Sequence, residues 1–218
     1  MEHYLKETEL LDFNNKEIRK LVKSRCWNDL SEKEKILNIY NFIRDEIKFG
    51  YNSDDILPAS KILKDGYGQC NTKGILFMAL LRAVNVPCRF HGFTINKEVQ
   101  KGAISGIWYK LTPKELFHSW VEVFYNTKWL NIEGFILDIA YLTAVQNKFN
   151  DCSGSFCGFA VATDNLKKPE VYWNENDTYI QKEEINCDLG VFDNPDIFFN
   201  HHKQHLNFPK RIFFQYIV

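Results

Sequence analysis

The chain has 218 residues, of which 45% are hydrophobic and 25% charged, and its formal net charge is −1. That length suits one full hydrophobic core, so a single domain over 1–218 is expected, and the near-neutral charge argues against a nucleic-acid partner, which calls for a basic face. No apolar run approaches the about 20 residues needed to cross a bilayer, and Met1-Glu2-His3-Tyr4-Leu5-Lys6-Glu7-Thr8 lacks the apolar centre of a signal peptide. A cytoplasmic protein without a membrane partner is therefore expected. Its six cysteines (26, 70, 88, 152, 157 and 187) are read as reduced thiols. The 18 phenylalanines point to an aromatic-rich core.

Ser31-Glu32-Lys33-Glu34 carries the signature of a capping box, and Ile36, Ile39, Tyr40, Ile43 and Ile47 follow at helical spacing. The pattern predicts an amphipathic helix over 32–47. Asp54-Asp55-Ile56-Leu57-Pro58 reads as a loop, and Ala59 to Lys64 as a short helix ended by Gly66. From Cys70 to about Val84 the apolar residues cover most of a helical circumference, which predicts a buried helix ended by Asn85 and Pro87. Cys88 to Ile95 reads as a strand, and 99–116 as a connection with helical turns. His118 to Phe124 and Trp129 to Phe135 read as a hairpin joined by Tyr125-Asn126-Thr127-Lys128. Beyond Ala140 the pattern weakens. Trp173 to Ile180 suits a strand or a loop, and Pro195 opens a C-terminal helix that Pro209 interrupts before an apolar end at 211–218.

The chemistry-bearing residues follow this order. Cys70 comes directly after the glycine-rich turn Asp65-Gly66-Tyr67-Gly68-Gln69 and opens the apolar helix. A helix N-terminus carries partial positive charge and favours a thiolate over a thiol. Alone, a cysteine there reads as a buried structural thiol. His118 starts a strand, and Glu133 follows in Trp129-Leu130-Asn131-Ile132-Glu133. Nucleophile, base and orienting acid in that order suit attack by a thiolate on a carbonyl.

Three segments carry a resemblance. Pro58-Ala59-Ser60-Lys61-Ile62-Leu63-Lys64-Asp65-Gly66-Tyr67-Gly68-Gln69-Cys70 resembles the cysteine motif of the transglutaminase-like superfamily. Leu81-Arg82-Ala83-Val84-Asn85-Val86-Pro87-Cys88-Arg89-Phe90-His91-Gly92-Phe93 resembles that family's next segment, an arginine-containing helix end followed by a strand. His118-Ser119-Trp120-Val121-Glu122-Val123 resembles its histidine strand. The resemblance covers roughly 30–142 and leaves 143–218 as a C-terminal elaboration. It implies an α+β fold with a papain/transglutaminase-like core. In that fold a central buried helix carrying the cysteine packs on an antiparallel sheet carrying the histidine and the acid. It implies a cysteine-dependent enzyme acting on amides of a peptide or protein: a peptidase, amidase, deamidase or transglutaminase. Small bacterial-type members of the superfamily suggest hydrolysis by fold-level analogy. A non-catalytic binding module keeping the fold is the alternative. No cofactor and no metal are expected.

One position departs from the family pattern. The family places an aspartate four residues after the tryptophan of its third motif, and here that count from Trp129 reaches Glu133. Asp138 and Asn131 are the other candidates. An even-length loop centred on Asn126-Thr127 sets His118 opposite Phe135, with Glu133 diagonal on the same face at about 7–8 Å. Asn131 shares that parity, whereas Asp138 needs a bulge. Glu133 is therefore the expected third residue. The Cys70 backbone N–H is expected as one oxyanion donor, with Tyr51, Asn52, Lys64 and Gln69 as candidates for the second. His91 reads as structural and Cys88 as packing. Cys152, Cys157, His201 and His205 have zinc-like local spacings across a long gap, and read better as loop and surface.

Overall fold

The computed structural model describes residues 1–52, 54–104 and 106–202. Helix α1, Lys16–Ser24, starts where the Asn15 side chain accepts a hydrogen bond from the Glu17 N–H, and it buries Ile18 and Val22. Helix α2, Glu32–Asn41, begins with the expected capping box, in which the Ser31 N–H donates to Glu34 at 3.0 Å. The predicted helix to 47 changes character after Asn41. Phe42–Glu46 forms a wider π turn, closed by the Ile47 N–H donating to the Phe42 carbonyl at 3.3 Å. Its Arg44 is buried and donates to the Val171 carbonyl at 2.9 Å. That bond ties the turn to the C-terminal region.

Strand β1, Lys48–Phe49, pairs in parallel with β2, Tyr67–Gly68. Between them run the 50–58 loop and helix α3, Ala59–Asp65. Gly66 ends α3 with φ of +73°, a left-handed conformation that costs a glycine little. Helix α4, Cys70–Ala83, is buried at every residue from Asn71 to Ala83. Each of its large apolar side chains contributes about 1.5–3 kcal/mol of burial, which makes α4 a rigid mounting for Cys70.

Strand β3, Cys88–Asn96, leads through a short turn at Lys97–Gln100 and helix α5, Gly106–Leu111, to β4, Glu115–Tyr125. A two-residue turn then enters β5, Lys128–Ile132. Asn126 and Thr127 there have φ of +47° and +64°, the two-positive geometry of a tight hairpin. Helix α6 is Ile139–Lys148, and a small hairpin joins β6, Phe156–Gly158, to β7, Val161–Thr163. Strand β8, Ile185–Phe192, and helix α7, Pro195–His201, complete the described elements.

The main sheet is antiparallel, with strand order β5-β4-β3-β8. Helix α4 lies against it, so the fold is α+β, with the cysteine helix packed on the strand that bears His118. The hairpin register is as expected, with Tyr125 opposite Lys128 and Val121 opposite Ile132. The predicted strand to Phe135 is corrected. The ladder stops at Ile132, the Glu133 N–H donates instead to the Thr178 carbonyl at 2.9 Å, and Gly134 lies pressed against Tyr40, Val171 and Thr178. His118 consequently has no ladder partner on the β5 side; on the opposite edge of β4 it pairs with Phe93 of β3.

Arg82, near the end of α4, is buried and stitches three segments together. Its guanidinium donates to the carbonyls of Lys6 (2.6 Å), Cys88 (3.0 Å) and Asp193. One apolar cluster extends from Leu10 to Phe199 and includes Val161, Leu166 and Ile180 from the C-terminal region. No described helix is long and apolar enough to cross a membrane. His205, Pro209 and the apolar end at 211–218 lie outside the described residues.

Candidate active site

Gly68 and Gln69 set the entry to α4. A Cβ on Gly68 would lie 2.6 Å from the Thr72 hydroxyl, so the close turn requires a glycine. The Thr72 hydroxyl accepts from the Gln69 N–H at 3.0 Å and bonds the Asn52 side chain at 2.6 Å. Cys70 is thereby fixed as the first residue of the helix, where its backbone N–H has no acceptor within the helix. Its side chain is half-buried and lines a cleft together with His118, Tyr51, Asp55 and Phe117.

His118 is wholly buried, and its Nε2 lies 2.6 Å from Glu133 Oε1. Glu133 is wholly buried too. Its second oxygen, Oε2, accepts from the backbone N–H groups of Ile180 (2.7 Å) and Gln181 (2.9 Å). Both carboxylate oxygens are therefore occupied by donors, an arrangement that favours the ionised acid and fixes its orientation. In the neutral ring, Nε2–H donating to Glu133 leaves the lone pair on Nδ1, which is buried and makes no conventional hydrogen bond. Burial alone would depress the imidazole pKa. The negative charge and hydrogen bonding of the Cys70 sulfur, helped by Glu133, overcome this and raise it to about 10. The ring thus faces the thiol on one side and the carboxylate on the other.

A further pair of residues, absent from the sequence-level candidates, locks helix and strand together. Asn71 Oδ1 accepts from the Ser119 hydroxyl at 2.8 Å, and Asn71 Nδ2 donates to the Phe117 carbonyl at 3.4 Å. Asn71 directly follows Cys70, and Phe117 and Ser119 flank His118. That adjacency was the available signal. The backbone donors at Ile180 and Gln181 gave none, because an amide N–H has no side-chain identity.

The other candidates lie elsewhere. Asp138 caps α6, accepting from the N–H groups of Tyr141 (3.1 Å) and Phe49 (2.9 Å). Asn131 donates from its side chain to the Tyr179 hydroxyl at 2.9 Å. Lys64 is exposed and is not among the residues lining the cleft. Tyr51, Asn52 and Gln69 do line it. The Asn52 side chain is engaged with Thr72 and the Tyr67 carbonyl, and the Gln69 side chain with Asp55 and the Asn52 N–H. Tyr51 bonds the Gln100 side chain. His91 is held between Glu122 at 2.7 Å and Asp188 at 2.9 Å, and Arg89 also binds Glu122. The two carboxylates lift its pKa against the opposing effect of burial. Cys88 is buried, and burial pushes its thiol pKa up. Among the described residues no group of three or more His, Cys, Asp or Glu could hold a metal ion; His205, one of the residues with zinc-like spacing, lies outside them.

The sequence model of the transglutaminase-like superfamily matches residues 19–134, which include Cys70, His118 and Glu133. Among solved structures, a proposed cysteine protease from Cytophaga hutchinsonii is similar in fold, with a TM-score of 0.50 at 11% identity. The superposition covers 88% of this chain and 47% of that one, so the chain spans about half the length of that protein. No curated protein matches the chain significantly in sequence. A glycine turn delivering a cysteine to a buried helix, a facing histidine strand and a match over more than half of its length place the chain in the transglutaminase-like superfamily.

Proposed function

We propose that the protein is a cysteine-dependent acyl-transfer enzyme acting on amide bonds of peptide or protein substrates through a thioester. The observation that carries this reading is the His118 ring. It is clamped at Nε2 by a fully bonded Glu133, and Nδ1 is left without a conventional partner on the side of a half-exposed cysteine. In the proposed cycle Nδ1 takes the Cys70 proton and the thiolate adds to the substrate carbonyl carbon. The carbonyl π electrons move to oxygen, where the Cys70 N–H is a donor. Collapse expels the amine, which takes the proton from Nδ1, and leaves the thioester. Water or an amine then adds to the thioester, with Nδ1 again accepting the proton, and collapse breaks the C–S bond, the electron pair leaving with the Cys70 sulfur as thiolate. Water gives hydrolysis and an amine gives transfer. The 2.6 Å contact of Glu133 with His118 favours this reading over a non-catalytic module that keeps the fold. The six unpaired thiols agree with a reducing, cytoplasmic setting.

The test is alkylation by iodoacetamide over about pH 5 to 9, bracketing the ordinary thiol pKa near 8.5, with adducts mapped by cysteine. Cys70 is expected to label at least tenfold faster near neutrality than the exposed Cys26 and Cys187, and His118→Ala to remove that advantage. On a library of peptides and glutamine amides, turnover is expected for the native protein and none for Cys70→Ala. Equal labelling of Cys70 and Cys26 at all pH values, or turnover by Cys70→Ala, would overturn the reading.

A further inference from the structure

Asp55 stands in the loop between β1 and α3, half-buried, and lines the same cleft as Cys70 and His118. Its Oδ1 accepts from Gln69 Nε2 at 2.7 Å. Gln69 directly precedes Cys70 in sequence, so the carboxylate is tied to the backbone that presents the candidate nucleophile. The donor is a neutral amide, which orients a carboxylate without neutralising it.

Among the described residues lining the cleft there is no lysine or arginine. None of the ion pairs among the described residues includes Asp55. Burial raises the Asp55 carboxyl pKa, with Gln69 and Asn71 pulling against it. This is the behaviour of a partly desolvated acid without a cation. A thiolate and an imidazolium in the proposed pair cancel in charge, so among the described residues Asp55 sets the sign of the field a substrate meets there. The walls suit the stem of a long cationic side chain. Phe49, Tyr51, Leu116 and Phe117 offer apolar and aromatic surface, against which methylenes pack and a cation is attracted to ring faces. The cavity volume is about 80 Å³, which favours a slender group over a ring system.

We propose that Asp55 is a specificity residue, forming a subsite for a cationic group carried on the acyl side of the substrate, a lysine or arginine side chain or a free ammonium. This rests on the acyl-transfer reading of Cys70 and adds to it a charge preference. The acyl side follows from the placement: Asp55 lines the cleft with Cys70 and is held by Gln69, the residue just before the sulfur to which the acyl group becomes attached. An acidic substrate would meet a like charge in a partly desolvated cleft, and discrimination by charge is strongest in such places.

The experiment needs no knowledge of the natural substrate. Two methanethiosulfonates of similar size are used, one bearing a trimethylammonium-ethyl group and one a sulfonatoethyl group. In each case the Cys70 thiolate attacks the sulfenyl sulfur, a mixed disulfide forms, and methanesulfinate leaves with the electron pair. Rates are read on the Cys70 peptide by mass spectrometry and divided by the rates with a free small thiol, which removes intrinsic reactivity. The native protein is expected to prefer the cationic reagent by about tenfold or more, the size of effect one nearby charge gives in a partly screened site. Asp55→Asn is expected to cut that preference about five- to tenfold, and Asp55→Glu to keep most of it. The rate with the neutral reagent iodoacetamide is read on each protein and used as a second divisor, so that any change in thiol reactivity caused by the substitution itself cancels. A native preference near unity overturns the proposal, as does a preference that survives Asp55→Asn. Should Asp55→Asn misfold, seen as labelling of the buried Cys88, the native ratio and the Asp55→Glu ratio still decide. If Cys70 reacts no faster than Cys26 with any reagent, it is the acyl-transfer reading that fails, and the role of the subsite falls with it.

Discussion

Glu133 shows how one methylene changes the design of a site. An aspartate at its position would be too short to span the His118 ring and the two backbone donors beyond it from the same strand end. Glutamate does span them, with one oxygen on Nε2 and the other on the N–H groups of Ile180 and Gln181. The consequence is sharp for Glu133→Gln. An amide has one oxygen and one nitrogen, and two fixed N–H groups demand the oxygen. The amide NH₂ is then left facing Nε2, which must accept, and the imidazole proton moves to Nδ1, opposite the thiol. That is the wrong tautomer for taking the thiol proton, a change worth up to about 10⁴-fold in kcat where it has been isolated. We expect a loss of about 10²- to 10⁴-fold in turnover and slower alkylation of Cys70 at neutral pH, with the fold retained. Glu133→Asp should lose less activity and more stability, because it keeps the charge and gives up one set of contacts. Nitrogen NMR of the ring reads the tautomer directly. In the native protein the ring should hold its second proton to higher pH than a free imidazole, because the sulfur charge and its hydrogen bonding, helped by Glu133, raise the pKa against burial. In Cys70→Ala the same ring should titrate lower. A Glu133→Gln protein with native alkylation kinetics would refute this account of the clamp.

Helix α4 was the most legible element, for a reason that also hides one of its residues. Ile75, Leu76, Phe77, Met78, Ala79, Leu80 and Leu81 cover the helix all round, and a helix of that kind has to be central. Lys73 looks like an interruption in that pattern, but it is fully buried. Its amine donates to the carbonyls of Ile136 (2.9 Å) and Arg44 (3.2 Å), one turn beyond Cys70. Burial pushes its pKa down to about 7, against the pull of Asp138 and Asp45. For a base with a lowered folded pKa, the unfolded chain binds more protons between the folded value near 7 and the unfolded value near 10.5. Stability contributed by this site therefore rises with pH across that window, by an amount on the order of 5 kcal/mol if the shift is fully expressed. Lys73→Met should remove that rise, which urea unfolding at about pH 7, 8.5 and 10 would measure. An unchanged slope in the variant would show that the amine is not the titrating group. The hairpin β4–β5 was legible too, because Asn126 and Thr127 can both adopt positive φ and the side-chain alternation sets the faces. Helices α1 and α6 and strand β8 were not. The first two are short, and their boundaries rest on single capping residues, Asn15 and Asp138. In β8, Asp188 and Gly190 interrupt the apolar alternation at the point where its register against β3 shifts.

At the scale of the molecule, the three residues of the candidate triad were readable and the framework that holds them was not. Cys70, His118 and Glu133 are side chains with chemical identity, and they fall inside the 19–134 match. The donors that complete the Glu133 clamp come from 180 and 181, far outside it, and they are backbone groups. The segment containing them is itself anchored at several points. Thr178 bridges to Ile132, Gln181 donates from its side chain to the Ala160 carbonyl at 2.6 Å, and the Ala162 N–H donates to the Ile180 carbonyl at 2.8 Å. Through these bonds the region after α6 acts as the outer wall of the site, not as an appendage. This predicts a specific pattern of amide hydrogen exchange. The N–H groups of Ile180 and Gln181 belong to no regular strand, yet their bonds to a buried carboxylate should protect them nearly as well as the β3–β4 ladder. In Glu133→Ala both lose their acceptor inside a dry site, and their protection should fall by at least about tenfold, the equivalent of 1.4 kcal/mol, while exchange along β3 and β4 stays close to native. Unchanged protection of 180 and 181 in that variant would mean the segment is held by the rest of the wall alone, and the coupling between the C-terminal region and the triad would have to be abandoned.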